Sequence, residues 1–138
     1  MTAQPVTVAQ TMMRNDRASE MLGMTVLVNQ PGRSVVTMTI RDDMLNGFAI
    51  THGGFVFALA DTAFAIACND SEFVTVAAGG DITFLKSTTS GDVLTATALE
   101  RAKAGRSGIY DVQVLDQRGG IVAEFRGRSR RTQSPAPA

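Results

Sequence analysis

The spacing of hydrophobic and polar positions changes several times along the chain. Residues 7–22 carry Val8, Met12, Met21 and Leu22 at spacings one helix face can use, and Gly23 follows as a stop, which predicts a helix. From Met24 the pattern alternates: Val26 and Val28, then Val36, Met38 and Ile40, lie on either side of Pro31-Gly32, predicting two strands joined by a turn. Residues 41–51 show no period and contain Asn46-Gly47, the mark of a loop. Gly53 to Asn69 is rich in Phe, Ala, Leu and Ile, lacks proline and opens on two glycines, which predicts a helix. Four strand-like runs follow at 73–85, 93–103, 107–116 and 120–130, divided by turn signals at Ser90-Gly91-Asp92, Ala104-Gly105-Arg106 and Arg118-Gly119-Gly120. Within the third run Tyr110, Val112 and Val114 share one face, and Asp111 and Gln113 the other.

The helix at 53–69 is apolar on every side, so it must be covered on every side. A flat sheet covers one face of a helix. A strongly curved antiparallel sheet of five or six strands covers most of it, and a second copy of the chain could cover the rest. The expected class is therefore α+β, a long central helix held inside a curled sheet.

Composition narrows the picture. The chain has 138 residues, 44% of them hydrophobic and 19% charged, as expected of one globular domain over residues 1–131. The last seven residues, TQSPAPA, read as a disordered tail over 132–138. Thirteen basic and thirteen acidic residues give zero net charge, which argues against a general nucleic-acid binder. One cysteine, Cys68, forbids an intrachain disulfide, and one histidine, His52, leaves no His/Cys zinc cluster. No metal site is expected. The longest apolar stretch, residues 55–68, is interrupted by Asp61 and Thr62 and falls short of the roughly 20 residues a membrane span needs. With no secretory leader pattern at the start, a cytoplasmic location is expected.

Asp61 stands in the middle of the apolar helix. A buried carboxylate without a partner is costly, so it must reach a donor, a counter-charge or a cavity. It is either a structural acid, with Thr62 adjacent, or a carboxylate set in a cleft as general base or nucleophile. Gly53-Gly54 opens the same helix, where free N–H groups and the positive dipole end can stabilise a developing oxyanion; a turn that simply needs glycine is the other reading. Eight residues separate Gly53 from Asp61, about 12 Å along the axis with a turn of about 80°. One carbonyl cannot touch both on a single helix. If they act together, they come from two chains.

His52 and Asn46 flank the glycines, each suited to shaping the turn or to orienting substrate or water. Cys68 reads as a core residue, and Phe48, Phe55, Phe57, Phe64 and Tyr110 as packing aromatics or an aromatic pocket. Charge is unevenly spread. Residues 1–100 hold five basic and ten acidic residues, whereas residues 101–138 hold eight and three. Arg126, Arg128 and Arg130 recur at period two, as a charged strand face or a site for a phosphorylated ligand.

Asn46-Gly47 and the run from His52-Gly53-Gly54 to Asp61-Thr62-Ala63 resemble the hotdog-fold acyl-CoA thioesterases, most of all their phenylacetic-acid-degradation (PaaI) branch. The likeness continues through residues 81–85, Gly91-Asp92, residues 94–96 and Phe125-Arg126-Gly127. It implies a helix wrapped by an antiparallel sheet, dimers sharing one continuous sheet, commonly paired into tetramers, and no cofactor or metal. It further implies hydrolysis of aryl-acetyl-CoA thioesters, phenylacetyl-CoA or ring-hydroxylated forms, to free acid and CoA. Asp61 would be the catalytic carboxylate and the Gly53 amide of the other subunit the carbonyl-polarising donor, with Asn46 and His52 orienting substrate or water. Gly54, Thr62, Arg126 and Arg128 would contact substrate or CoA. The other readings are a hotdog hydratase acting on enoyl or hydroxyacyl thioesters, and a non-catalytic acyl-CoA-binding module.

Overall fold

The computed structural model describes residues 8–135. Two short helices, α1 (Val8–Arg14) and α2 (Arg17–Met21), lead into a hairpin of β1 (Thr25–Gln30) and β2 (Arg33–Thr39). A 3-10 turn at Asp42–Met44 precedes the long helix α3 (Gly53–Cys68). Four strands follow: β3 (Phe73–Phe84), β4 (Val93–Ala104), β5 (Ser107–Leu115) and β6 (Ile121–Pro135). They form one antiparallel sheet in the order β1-β2-β4-β5-β6-β3, so β3 leaves the helix for the far edge.

Helix α3 touches all six strands. Six strands span about 24 Å at their usual spacing, whereas a helix with side chains is about 10–12 Å wide. The sheet must therefore curl round the helix, the architecture expected from an all-round apolar helix. Val36 and Met38 of β2, Leu94 and Ala96 of β4, and Tyr110, Val112 and Val114 of β5 are buried, as are Leu59, Ala60, Ala63 and Phe64 of α3. Close approach is set by Gly127 on β6, where a Cβ would lie 2.7 Å from the Phe64 ring. Ser34 also donates to the Ala63 carbonyl at 2.5 Å, tying sheet to helix. At the helix end the buried Asn69 accepts from Thr75 N–H at 2.8 Å and donates to Thr75 O at 3.0 Å, which starts β3.

Two expectations change. The single helix over 7–22 is broken at Asp16, whose carboxylate caps α2 by accepting from Ser19 N–H at 2.9 Å. Residue 7 lies outside the described residues. The tail expected from 132 onward is not a tail as far as Pro135: β6 keeps its partner, pairing Thr75 with Arg131 and Phe73 with Pro135. Residues 136–138 lie outside the described residues. No helix among the described residues is long and apolar enough to cross a membrane.

Candidate active site

The loop 41–51 and the start of α3 build one wall of a cleft of about 430 Å³. Asn46 closes the loop on itself, accepting at Oδ1 from Phe48 N–H at 2.8 Å while its own N–H donates to Ile50 O at 2.8 Å. Thr51 is pinned to the opposite wall by its N–H to Thr88 O at 2.8 Å and by a buried hydroxyl pair with Thr88 at 2.7 Å. His52 then enters the helix in extended conformation and caps it: Nδ1 accepts from Gly54 N–H at 2.9 Å. That leaves the Gly53 N–H, which has no acceptor among the described residues and whose glycine lines the cleft. The first turn of α3 thus offers one unspent donor at its positive end.

Asp61 does not line this cleft. It is half-buried on the less covered side of α3, with Gly54, Phe57, Ala58 and Ala65 also incompletely covered. Its carboxylate makes no hydrogen bond or ion pair among the described residues. Burial pushes its pKa above the ordinary carboxylate value, and the Asp16 carboxylate adds to the rise. Next to it Thr62 meets Ser19 hydroxyl to hydroxyl at 3.5 Å, and Ser19 donates to Asp16 at 2.7 Å. Within one chain Gly53 and Asp61 are not brought together.

The remaining candidates fall elsewhere. Gly54 has its amide committed to His52, and Thr62 faces α2. Arg126 forks onto Asp111 at 2.7 and 2.9 Å, and Arg128 reaches Asp81 at 3.1 Å, both on the exposed sheet face and outside the cleft. Burial pushes the Cys68 thiol up to about 12, which removes it as a nucleophile and fits a core residue. Phe64 and Tyr110 pack together at 5.6 Å in the core, and Phe48 is 86% exposed. None of the five predicted aromatics lines the cleft; Phe84 does, followed by Leu85, Lys86, Ser87 and Thr88. Nothing in the type or spacing of residues 86–88 marks them in the sequence. Lys86 reaches the cleft only because β3 ends beside the first residues of β6.

Residues 48–123 match the family model described as the thioesterase superfamily. The chain belongs to the thioesterase superfamily. The matched stretch contains Gly53, Asp61 and most of the cleft, and ends before Arg126. Acyl-coenzyme A thioesterase PaaI of Escherichia coli (strain K12) is 44% identical over 123 residues, covering 89% of this chain and 88% of that relative. The solved structure of the E. coli PaaI protein from the phenylacetic acid degradation operon matches this thioesterase with a TM-score of 0.89 and 42% identity, covering 92% of each chain. A mutant of the phenylacetic acid degradation protein PaaI from Thermus thermophilus matches with a TM-score of 0.81 and 36% identity, over 85% of this chain and 100% of that one. The sheet wrapped round α3 is the hotdog fold of these thioesterases, and the enzyme is a thioester hydrolase.

Proposed function

We propose that the chain hydrolyses aryl-acetyl-CoA thioesters at sites formed by two copies of itself. The observation that carries this reading is the separation on one helix of an unspent donor, Gly53 N–H, and an unpartnered carboxylate, Asp61. In a two-fold pair of antiparallel α3 helices, the Gly53 end of one copy meets the Asp61 region of the other. The Gly53 N–H polarises the thioester carbonyl and holds the oxyanion that forms there. Asp61 of the second copy supplies the carboxylate through which water's oxygen reaches the carbonyl carbon. The C–S bond then breaks, the acid is released, and CoA leaves as the thiol.

The edge strand supports the pairing. β3 has a neighbour on one side only and exposes Phe73, Val76 and Phe84, an apolar edge that a second β3 would cover. The reading includes a shared sheet in the dimer, a tetramer of two dimers and a cytoplasmic enzyme. The apolar lining by Ile50, Val56, Phe84 and Val122 suits an aromatic acyl group, and relatives named for phenylacetic acid degradation point the same way. The hydratase alternative needs a free histidine, and His52 spends Nδ1 on the helix cap.

The test is a thiol-release assay over a panel of acyl-CoAs, run beside Asp61→Asn. Aryl-acetyl thioesters should give the highest kcat/KM, and Asp61→Asn should lower kcat roughly 10²–10⁴-fold with the fold intact by circular dichroism. Wild-type turnover by the variant on every substrate would sink the assignment.

A further inference from the structure

The residue lining the cleft that carries a full charge is Lys86; the other lining residues are neutral. Its position is built rather than incidental. As β3 ends, Leu85 N–H and Lys86 N–H both donate to Val122 O, at 2.8 and 3.3 Å, and fix the strand exit against β6. The ammonium is then held by Asp116 in the β5–β6 turn. Asp116 is itself buried and immobilised: its Oδ1 accepts from Arg118 N–H at 2.9 Å and Gly120 N–H at 2.8 Å, leaving Oδ2 for Lys86. These bonds, that of Lys86 foremost, hold the Asp116 carboxyl down at about 2, so it is charged at any working pH. Gly120 completes the arrangement, because a Cβ there would lie 2.8 Å from Lys86 Nζ and 3.0 Å from Asp116 Oδ2. Asp116 takes one of the three ammonium protons, and the other two have no acceptor among the described residues.

We propose that Lys86, set by Asp116 and Gly120, binds the phosphates of the CoA half of the substrate. This rests on the thioesterase reading above. The charge argument is direct: an aryl-acetyl group is neutral, so the anionic oxygens of such a thioester all belong to CoA. Lysine is a suitable partner, a compact charge with several donors. The arginines of β6 are worse placed. Like Lys86 they are paired with carboxylates, Arg126 with Asp111 and Arg128 with Asp81, but neither lines the cleft.

Two thioesters of one acyl group, carried on CoA or on pantetheine, separate the phosphates from the rest. Lys86→Met should raise KM for the CoA thioester about tenfold and leave kcat unchanged, the size of one lost charged hydrogen bond. It should leave the pantetheine thioester unaffected, and Lys86→Arg should restore the CoA KM. A rise equal for both thioesters, or for neither, overturns the proposal. Should Lys86→Met fold poorly, the wild type gives the same answer through salt: KM rises with ionic strength for the CoA thioester only, and parallel behaviour overturns it. Calorimetric binding of CoA and of pantetheine separates this from the hydrolytic reading. If the wild type releases no thiol yet Lys86→Met weakens CoA binding alone, hydrolysis falls and the Lys86 site stands. If the wild type does not bind CoA, the Lys86 site falls.

Discussion

Asp61 shows how one side chain can be tuned by its setting in the fold. Burial lifts its pKa first, and the Asp16 carboxylate at the α2 cap lifts it further. A raised pKa means that the proton is kept to higher pH and that the ionised form, once present, is a stronger base. With Asp61 in its proposed role, the rising limb of kcat/KM against pH should lie above the ordinary carboxylate value of about 3.9. Asp16→Asn keeps a good cap residue but removes the like charge, so the limb should move to lower pH while the plateau at neutral pH persists. A limb that stays in place would show that Asp16 does not act on Asp61. The same shift carries a stability cost. The folded state holds the proton more tightly than the unfolded chain, so stability declines as pH rises through the folded value.

At the scale of elements, α3 and the strand pattern were readable because each has a single period: all-round apolar for the helix, alternating for Tyr110, Val112 and Val114. What failed was local composition overruled by a neighbour. Thr132 to Pro135 read as a tail, yet β3 is long enough to keep pairing with them, and Thr132 Oγ1 donates to Val74 O at 2.7 Å. The break at Asp16 is legible in principle, since aspartate is a preferred N-cap residue, but the apolar spacing of residues 7–22 favours one helix. Gly127 is the reverse case, a residue unfavourable in a strand and retained for packing. Gly127→Val suits strand propensity but drives a side chain into Phe64. It should cost about 1–3 kcal/mol in urea denaturation. Unchanged stability would mean that the helix can lift from the sheet without loss.

At the scale of the whole molecule, the spacing along α3 lets Gly53 and Asp61 act together only from two chains, whereas the cleft's far wall depends on β3 lying beside β6, which no local spacing encodes. The proposed two-chain site has a direct test. Gly53 is the first residue of α3, its N–H is unused among the described residues, and His52 has the extended backbone that a following proline demands. Gly53→Pro therefore deletes the donor while keeping the helix, with a shift of the Phe84 ring, which a Cβ at residue 53 would approach to 2.9 Å. It should lower kcat about 10²–10³-fold. Co-expressed with Asp61→Asn, it should regain turnover, because each mixed pair holds one site with both groups intact. Two silent variants that stay silent together would place both groups in one chain's site and refute the shared one.

The unbroken course of α3 has a further consequence. Seven residues lie between Gly53 and Asp61, and in a two-fold pair those same seven set the geometry of both sites. One inserted residue would turn Asp61 by about 100° and advance it about 1.5 Å, in both copies at once. The stretch works as a gauge block: its side chains can be exchanged wherever packing allows, but its length cannot.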